Sequence, residues 1–344
     1  MLYLLLPILF FGCREKHLVE PKASPKMISS VNKYRRVLQA NQRQYHTKSL
    51  RSGECPPNEF EINGKTETLN KTVFAEGTAT LLYRTVDEKY IVKVVEAQQI
   101  KLIENVWREK AAASILGALE HFPQFYQTSA PLSCETRMNT MDYAGDKTLW
   151  DFFPGPNYVK DIASAEARSV AYQAISMLRI VHEHGIVHGD VHGGNFVFSD
   201  IKKIHLVDFG RSTEWLDPRT GLHMTLLDAR LKEQLEKTNL LNADIAFNYI
   251  YLSVFELEHY PRSRRDDLYR LAELLCNLLE PGQIGSVYYP LGHDHPTKTQ
   301  MAQRKRNRQM SSTVPYMFSK FYKDTLALGF DEMPNYDEYL SMFK

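Results

Sequence analysis

Apolar residues open the chain as a block and then disperse. MLYLLLPILFFG is an apolar run of about eleven residues, short of the roughly 20 that a helix needs to span a bilayer. Residues 14–56 carry Lys, Arg, Ser and Pro without a sustained period, which predicts a basic, flexible, solvated linker. Alternation begins near Phe60, and residues 75–96 predict two or three antiparallel strands with a turn at Asp87–Glu88. Between 100 and 119, Ile103, Val106, Trp107, Ala111 and Ile115 recur close to helical spacing. After a turn at His121–Pro123, a strand runs into Ala144–Gly145. Residues 167–185 predict a strongly periodic helix, with Ala171, Ala174, Ile175, Leu178 and Val181 on one stripe. Two short strands follow, Asn195–Phe198 and Ile204–Val207, and then helix-like, mixed-charge sequence from 222 to 249. A leucine stripe (Leu268, Leu271, Leu275, Leu278) marks a helix over 262–282, ended by Pro281–Gly282. The basic run 303–308 (QRKRNR) predicts a solvated loop in preference to a nuclear signal.

Composition narrows this picture little. A chain of 344 residues, 43% hydrophobic and 24% charged, can bury a core as one large domain or as two lobes with a cleft. A formal net charge of +1 argues against nucleic-acid binding as the main task. The cysteines (Cys13, Cys55, Cys134, Cys276) lack C-x-x-C spacing, so neither a zinc knuckle nor a disulfide framework is indicated. The leader, taken as residues 1–13, has the length of a signal-peptide core and favours a secretory or membrane-associated placement over a cytoplasmic one. No basic residue precedes it, however, and the alternative is an apolar tag folded onto the domain. If the leader stays attached, the basic stretch behind it could hold the chain near anionic lipid. Asn70-Lys71-Thr72 fits the N-glycosylation triplet.

The densest chemistry lies in 188–210, HGDVHGGNFVFSDIKKIHLVDFG. Phosphoryl transfer from ATP asks for a carboxylate facing the acceptor hydroxyl, plus a carboxamide and a second carboxylate to hold magnesium. Asp190, Asn195 and Asp208 supply these groups, and the intervening hairpin can bring them to one end of a cleft. Lys93, on an apolar strand, reads either as an edge lysine or as the ammonium that meets the nucleotide phosphates. Glu109, sixteen positions on and in the second half of the next helix, is the preferred partner, with Glu104 in reserve. Met141 would close the inner end of the strand that leads to Ala144. There, main-chain groups of Asp142 and Ala144 are available to adenine. His182, His184, His188 and His192 straddle a helix end and a loop, and read as local residues in preference to a metal set.

From about Lys71 to Lys344 the chain resembles a divergent protein kinase, and its second half resembles the casein kinase 1 group with its vaccinia-related and tau-tubulin branches. Four stretches carry that likeness: Asp217-Pro218-Arg219-Thr220; Tyr251-Leu252-Ser253 followed by Ser263-Arg264-Arg265-Asp266-Asp267-Leu268; Met310-Ser311-Ser312-Thr313; and 329–343. The resemblance implies an α+β, two-lobed fold over 57–344: a β-rich N-lobe with one main helix (about 57–143) and a larger, mostly helical C-lobe. It implies Mg2+ and ATP as cofactors, transfer to Ser or Thr of protein substrates, and Asp267 bracing the catalytic loop from beneath. It also places departures. Ala75 and Thr80 stand at the outer glycine positions of the phosphate loop, where only Gly77 survives. Gly189 replaces the arginine before the catalytic aspartate, which leaves no guanidinium there for an activation-loop phosphate. His192 replaces the lysine that stabilises the transferred phosphoryl group, and a neutral imidazole would do so less well. The Ala-Pro-Glu that ordinarily closes the activation segment is missing.

These features order three functions. A Ser/Thr protein kinase, weakly active and independent of loop phosphorylation, comes first. The loop HGDVHGGN is also similar to that of aminoglycoside and choline-type kinases, but the C-terminal signatures speak against a small-molecule phosphotransferase. A pseudokinase that binds or scaffolds is disfavoured, because Lys93, Glu109, Asp190, Asn195 and Asp208 are all present. Substrate identity and oligomeric state have no readable code in the sequence.

Overall fold

Strand β4 (Tyr90–Val95) is apolar on both faces, and the chain builds a layer against each. Residues 22–47, 56–77, 80–95, 100–117, 119–129, 137–153, 162–232, 251–280 and 296–344 are described by the structure, a computed structural model. With β1 (Glu59–Ile62), β2 (Lys65–Gly77), β3 (Thr80–Thr85), β5 (Phe125–Tyr126) and β6 (Met138–Asp142), β4 forms a six-stranded antiparallel sheet ordered β1-β2-β3-β4-β6-β5. A bridge between Ile62 and Thr128 brings the two edges together, so the sheet curls toward closure. On one face Val92 and Val94 pack with Phe60, Ile62, Leu69 and Met138. On the other, Val95 meets Ile103, Val106 and Trp107 of α2 (Ile100–Leu116).

Below the sheet the chain is mainly helical, as an α+β two-lobed fold requires. Helix α3 (Ser164–Glu183) buries its Ala171, Ala174, Ile175, Leu178 and Val181 stripe. Its packing partner is α4 (Arg264–Leu279), whose leucines are buried in the same core. Helices α5 (Lys298–Arg306), α6 (Tyr316–Ala327) and α7 (Tyr336–Met342) complete this lobe. Gly145 (φ 143°) links the lobes. A Cβ there would lie 2.1 Å from the Phe198 carbonyl carbon, so only glycine lets the strand pass.

Two expectations are corrected. Residues 14–56 are not a flexible linker throughout, since 25–47 form α1 (Pro25–Thr47). Ser24 caps it through a 3.2 Å bond to the Met27 amide, with Pro25 at the first helical position. Met27, Ile28, Val31, Tyr34, Val37 and Leu38 form a helical stripe under the basic residues, and Val31 and Tyr34 are fully buried. Val31 packs with Val187, Trp215 and Leu216, so close to Gly185 (φ 81°) that a Cβ there would sit 2.2 Å from its methyl. The run 303–308 is not a solvated loop either. It closes α5, where buried Lys305 pairs with Glu273 at 2.5 Å and buried Arg308 lies 3.6 Å from Glu280. The leader (1–13) and residues 233–249 of the mixed-charge stretch lie outside the described residues. Among the described residues no helix is long and apolar enough to cross a membrane.

Candidate active site

Strand register explains how Lys93 meets its partners. In the β4–β6 pairing Lys93 stands directly opposite Asn139, which puts both side chains on the face covered by α2. There Lys93 Nζ lies 3.1 Å from Glu109 Oε1, and Asn139 Nδ2 donates to Glu109 Oε2 at 2.6 Å. Glu109 rather than Glu104 therefore occupies the position beside Lys93. Asn139 was not singled out from the sequence, although the strand register would have found it. Burial pushes the Glu109 carboxyl up, against the pull of the Lys93 ammonium. Lys93 Nζ also reaches Asp208 Oδ1, at 2.9 Å. Burial alone would lower the lysine, but Asp208 and Glu109 together raise it, so the ammonium stays charged. For Asp208 burial works upward, yet Lys93 wins and holds the carboxyl at about 2.

Asp208 adopts left-handed backbone (φ 61°) and accepts from the Gly210 amide at 3.3 Å, which turns Phe209 inward. Phe209 stacks edge-on to His188, ring centres 4.6 Å apart, and meets Phe122 at 6.0 Å. His188 Nε2 bonds the Val207 carbonyl at 3.0 Å. Asp267 reaches up from α4 and accepts from the amides of His188 (2.7 Å) and Gly189 (2.9 Å) and from His182 Nε2 (3.0 Å). A carboxylate bonded by two amides fixes a loop that lacks regular hydrogen bonds of its own.

The Asp190 side chain sits at the cleft floor. Asn195 Nδ2 donates to the Asp190 carbonyl at 2.8 Å, which leaves the carboxamide oxygen for another task. Burial opposes ionisation of Asp190, but the charges of Arg211 and Arg270 outweigh it and lower its pKa. Gly189 brings no guanidinium to this loop, but two arrive from other elements: Arg211 NH1 is 3.4 Å and Arg270 NH1 3.5 Å from Asp190 Oδ1. His192 Nε2 stands 3.7 Å from Asp190 Oδ2. Its Nδ1 accepts from the Gly194 amide at 3.1 Å, and burial lowers its pKa, so the ring is neutral near pH 7. Trp150, another residue not anticipated, stacks on that imidazole at 5.9 Å with planes 22° apart. A Cβ at Gly194 would approach the indole nitrogen to 2.6 Å, so this stack needs glycine in the loop.

The remaining candidates line the upper rim. Met141 is buried at the end of β6. The Asp142 amide is committed to the Gln124 carbonyl at 3.0 Å and is not available to an adenine. Ala144 follows just before the Gly145 crossing. Gly77 pairs with Thr80 across the tip of the β2–β3 hairpin, beside Ala75 paired with Leu82. For a metal, the candidate donors are the oxygens of Asp208 and Asn195. Among the described residues no group of three or more His, Cys, Asp or Glu side chains could hold an ion unaided. One carboxylate and one carboxamide suit a hard cation that completes its shell with phosphate oxygens.

Comparison with known proteins agrees with this geometry. The family profile described as Protein kinase domain matches residues 75–227. Casein kinase 1-like protein HD16 of Oryza sativa subsp. japonica is 29% identical over 213 residues, covering 59% of this chain and 27% of that protein. Casein kinase I homolog RAG8 of Kluyveromyces lactis is 26% identical over 178 residues, 49% of this chain and 31% of that protein. The chain thus spans under a third of the length of these relatives. The solved Cydia pomonella granulovirus kinase, PK-1, superposes with a TM-score of 0.56 at 14% identity, over 88% of this chain and 97% of that one, a likeness of fold. With a curled sheet over a helical lobe and this cleft between them, the chain has the protein kinase fold, and its sequence is similar to kinases of the casein kinase 1 group.

Proposed function

We propose that the protein transfers the γ-phosphoryl group of ATP to serine or threonine hydroxyls of proteins, and does so without phosphorylation of its own activation segment. The single observation that carries the proposal is the assembled chain Glu109–Lys93–Asp208, at 3.1 and 2.9 Å, above an ionised Asp190. In kinases of this fold that alignment is a condition of turnover. Lys93, held by Glu109, would bind nucleotide phosphates. Asp208 and Asn195 would hold Mg2+, which when bound neutralises charge on the triphosphate. Asp190 would receive the acceptor hydroxyl and orient it in line. His192, being neutral, donates a hydrogen bond but no full charge to the transferring group, and that supports modest turnover.

Independence from loop phosphorylation is supported by α1. Arg108 of α2 and the Tyr34 hydroxyl of α1 both donate to the Ser212 carbonyl, at 2.9 and 3.0 Å, immediately after the Asp208–Arg211 turn. Arg35 adds a 3.0 Å ion pair to Glu214, and Lys33 reaches the Ser114 carbonyl at the other end of α2. The helix carrying Glu109 is thus pinned by the chain's own N-terminal segment.

The test is the full-length protein with Mg–ATP and a mixed-protein substrate panel, before and after phosphatase treatment, with Asp190→Asn as control. Phosphate on serine or threonine, unchanged by the phosphatase and absent with Asp190→Asn, is the expected result. Nucleotide binding without transfer would overturn the enzymatic reading. Activity abolished by phosphatase would overturn the autonomy.

A further inference from the structure

The catalytic loop has lost an arginine, and the fold has put a guanidinium back from another element. Gly189 has left-handed backbone (φ 75°), and a Cβ there would lie 2.5 Å from the Arg211 carbonyl oxygen. No side chain fits at this position, arginine included. Arg270 comes in from below. It lies one turn after Asp267 on α4, so both side chains face the loop. Its side chain is only 2% exposed, and NH1 donates to the Gly189 carbonyl at 3.1 Å while standing 3.5 Å from Asp190 Oδ1. A buried guanidinium requires a compensating anion. Glu256 Oε2 supplies it, 2.9 Å from Arg270 NH2.

Glu256 is itself fixed. Its carboxylate accepts from the Ser253 amide at 2.9 Å and from Arg262 Nε at 2.7 Å. Arg262 NH1 in turn reaches the Arg211 carbonyl at 3.4 Å. Asp190, Arg270, Glu256, Arg262 and the Arg211 main chain thus form a connected network between the catalytic loop and the segment Ser253–Leu257. Glu256 is a carboxylate present in every copy of the chain, whereas a loop phosphate is added and removed. Burial opposes its ionisation, but Arg270, Arg262 and Arg211 hold it at about 2, so it is an anion across the physiological range.

We infer that Arg270 is a positioning residue for phosphoryl transfer, that it holds Asp190 from α4 in place of the arginine absent at Gly189, and that Glu256 serves as its permanent counter-ion where a regulated kinase would use a phosphate. This rests on the kinase reading above. Arg270 is buried beneath the loop, bonded to the Gly189 carbonyl and to Glu256, and acts through the Asp190 carboxylate. Its loss should lower kcat and leave the Michaelis constant for ATP alone, because its bonds go to Gly189, Asp190 and Glu256 and not to Lys93 or Asp208.

The test compares full-length wild type with Arg270→Ala, Arg270→Lys and Glu256→Gln. Displacement of a reacting group by about 1 Å costs on the order of 10²-fold in rate, which is the fall in kcat expected for Arg270→Ala. The Michaelis constant for ATP should stay within about twofold, as binding groups are untouched. Arg270→Lys should recover part of the rate, and millimolar guanidinium chloride should partly restore Arg270→Ala, which a general packing defect would not permit. Glu256→Gln should show a smaller loss in the same constant. A folded Arg270→Ala with wild-type kcat overturns the inference, as does a loss confined to ATP affinity. If Arg270→Ala does not fold, the folded Lys and Gln variants decide: wild-type kcat in both overturns it. If wild type itself transfers no phosphate, the kinase reading fails separately. Amide exchange then decides the positioning role, with protection lost at 188–190 and 253–257 in Arg270→Lys or Arg270→Ala supporting it and unchanged protection refuting it.

Discussion

Replacing Tyr34 tests whether α1 is part of the catalytic unit or merely lies on it. The Tyr34 ring is wholly buried in the main core, and its hydroxyl bonds both the carbonyl (3.0 Å) and the hydroxyl (3.1 Å) of Ser212. Tyr34→Phe keeps the ring and removes those bonds, while Arg108 still satisfies the Ser212 carbonyl. The cost should be about 1 kcal/mol. Tyr34→Ala removes the ring as well, at about 3–5 kcal/mol by analogy with other buried aromatic truncations. Since ~1.4 kcal/mol is a factor of ten, the alanine variant shifts the docked-to-undocked ratio of α1 by roughly 10²- to 4 × 10³-fold. If docking holds Glu109 on Lys93, undocking frees α2, and kcat/KM for ATP should fall accordingly. The phenylalanine variant should stay within roughly tenfold of wild type, since it loses only about 1 kcal/mol. Hydrogen exchange across 100–116 supplies the structural readout, with protection lost in the alanine variant and largely kept in the phenylalanine one. A folded Tyr34→Ala with intact α2 protection and undiminished phosphate transfer would refute the coupling.

Further outcomes follow from other sites. Glu109→Gln leaves the Lys93 ammonium with Asp208 alone inside the cleft, and breaking such a buried pair costs about 3–5 kcal/mol, so ATP-dependent transfer should collapse while circular dichroism stays native. Gly189→Ala forces a Cβ to 2.5 Å from the Arg211 oxygen in left-handed backbone; a loss of about 1–3 kcal/mol in urea melts is expected, and a neutral result would show that the loop relaxes freely. Changing Ala75 and Thr80 to glycine should lower the Michaelis constant for ATP by roughly two- to tenfold, the worth of one regained backbone contact. His223, buried beside Arg264, has its pKa lowered to about 4, so folding excludes a proton that the unfolded chain takes up near pH 6.5. Its contribution is full above pH 6.5 and is lost as pH falls toward 4, by about 3 kcal/mol at most. Urea midpoints for wild type and His223→Gln should therefore converge on acidification through that window, and parallel curves would contradict the assignment.

What could be read from the sequence was the chemistry carried by short, contiguous motifs. Asp190, Asn195 and Asp208 lie within one hairpin, and Lys93 with Glu109 spans a single strand and helix, so chain order nearly fixes their meeting. The groups that escaped notice act through register or through contacts between distant segments. Asn139 is a polar residue in a short strand until the pairing sets it opposite Lys93. Arg270 sits within a leucine-striped helix whose pattern signals only core, and its partners lie at 189–190 and 256.

Helix α1 was different, because its signal was present and outweighed. Ser24-Pro25 is a helix start, and the stripe from Met27 to Leu38 has helical spacing, yet six Lys, Arg and His residues between 26 and 46 make the segment look solvated. Charge on the outer face of a helix does not oppose burial of the inner one, because long basic side chains keep their heads in water. Lys305 and Arg308 show the reverse error, in which a basic cluster is drawn inside by Glu273 and Glu280, far away in the chain. Basic composition therefore reports how many charges must be solvated or paired. Whether the segment beneath them packs is set by the spacing of the apolar residues between them, and in this chain that spacing places the N-terminal helix against the residues that align Lys93.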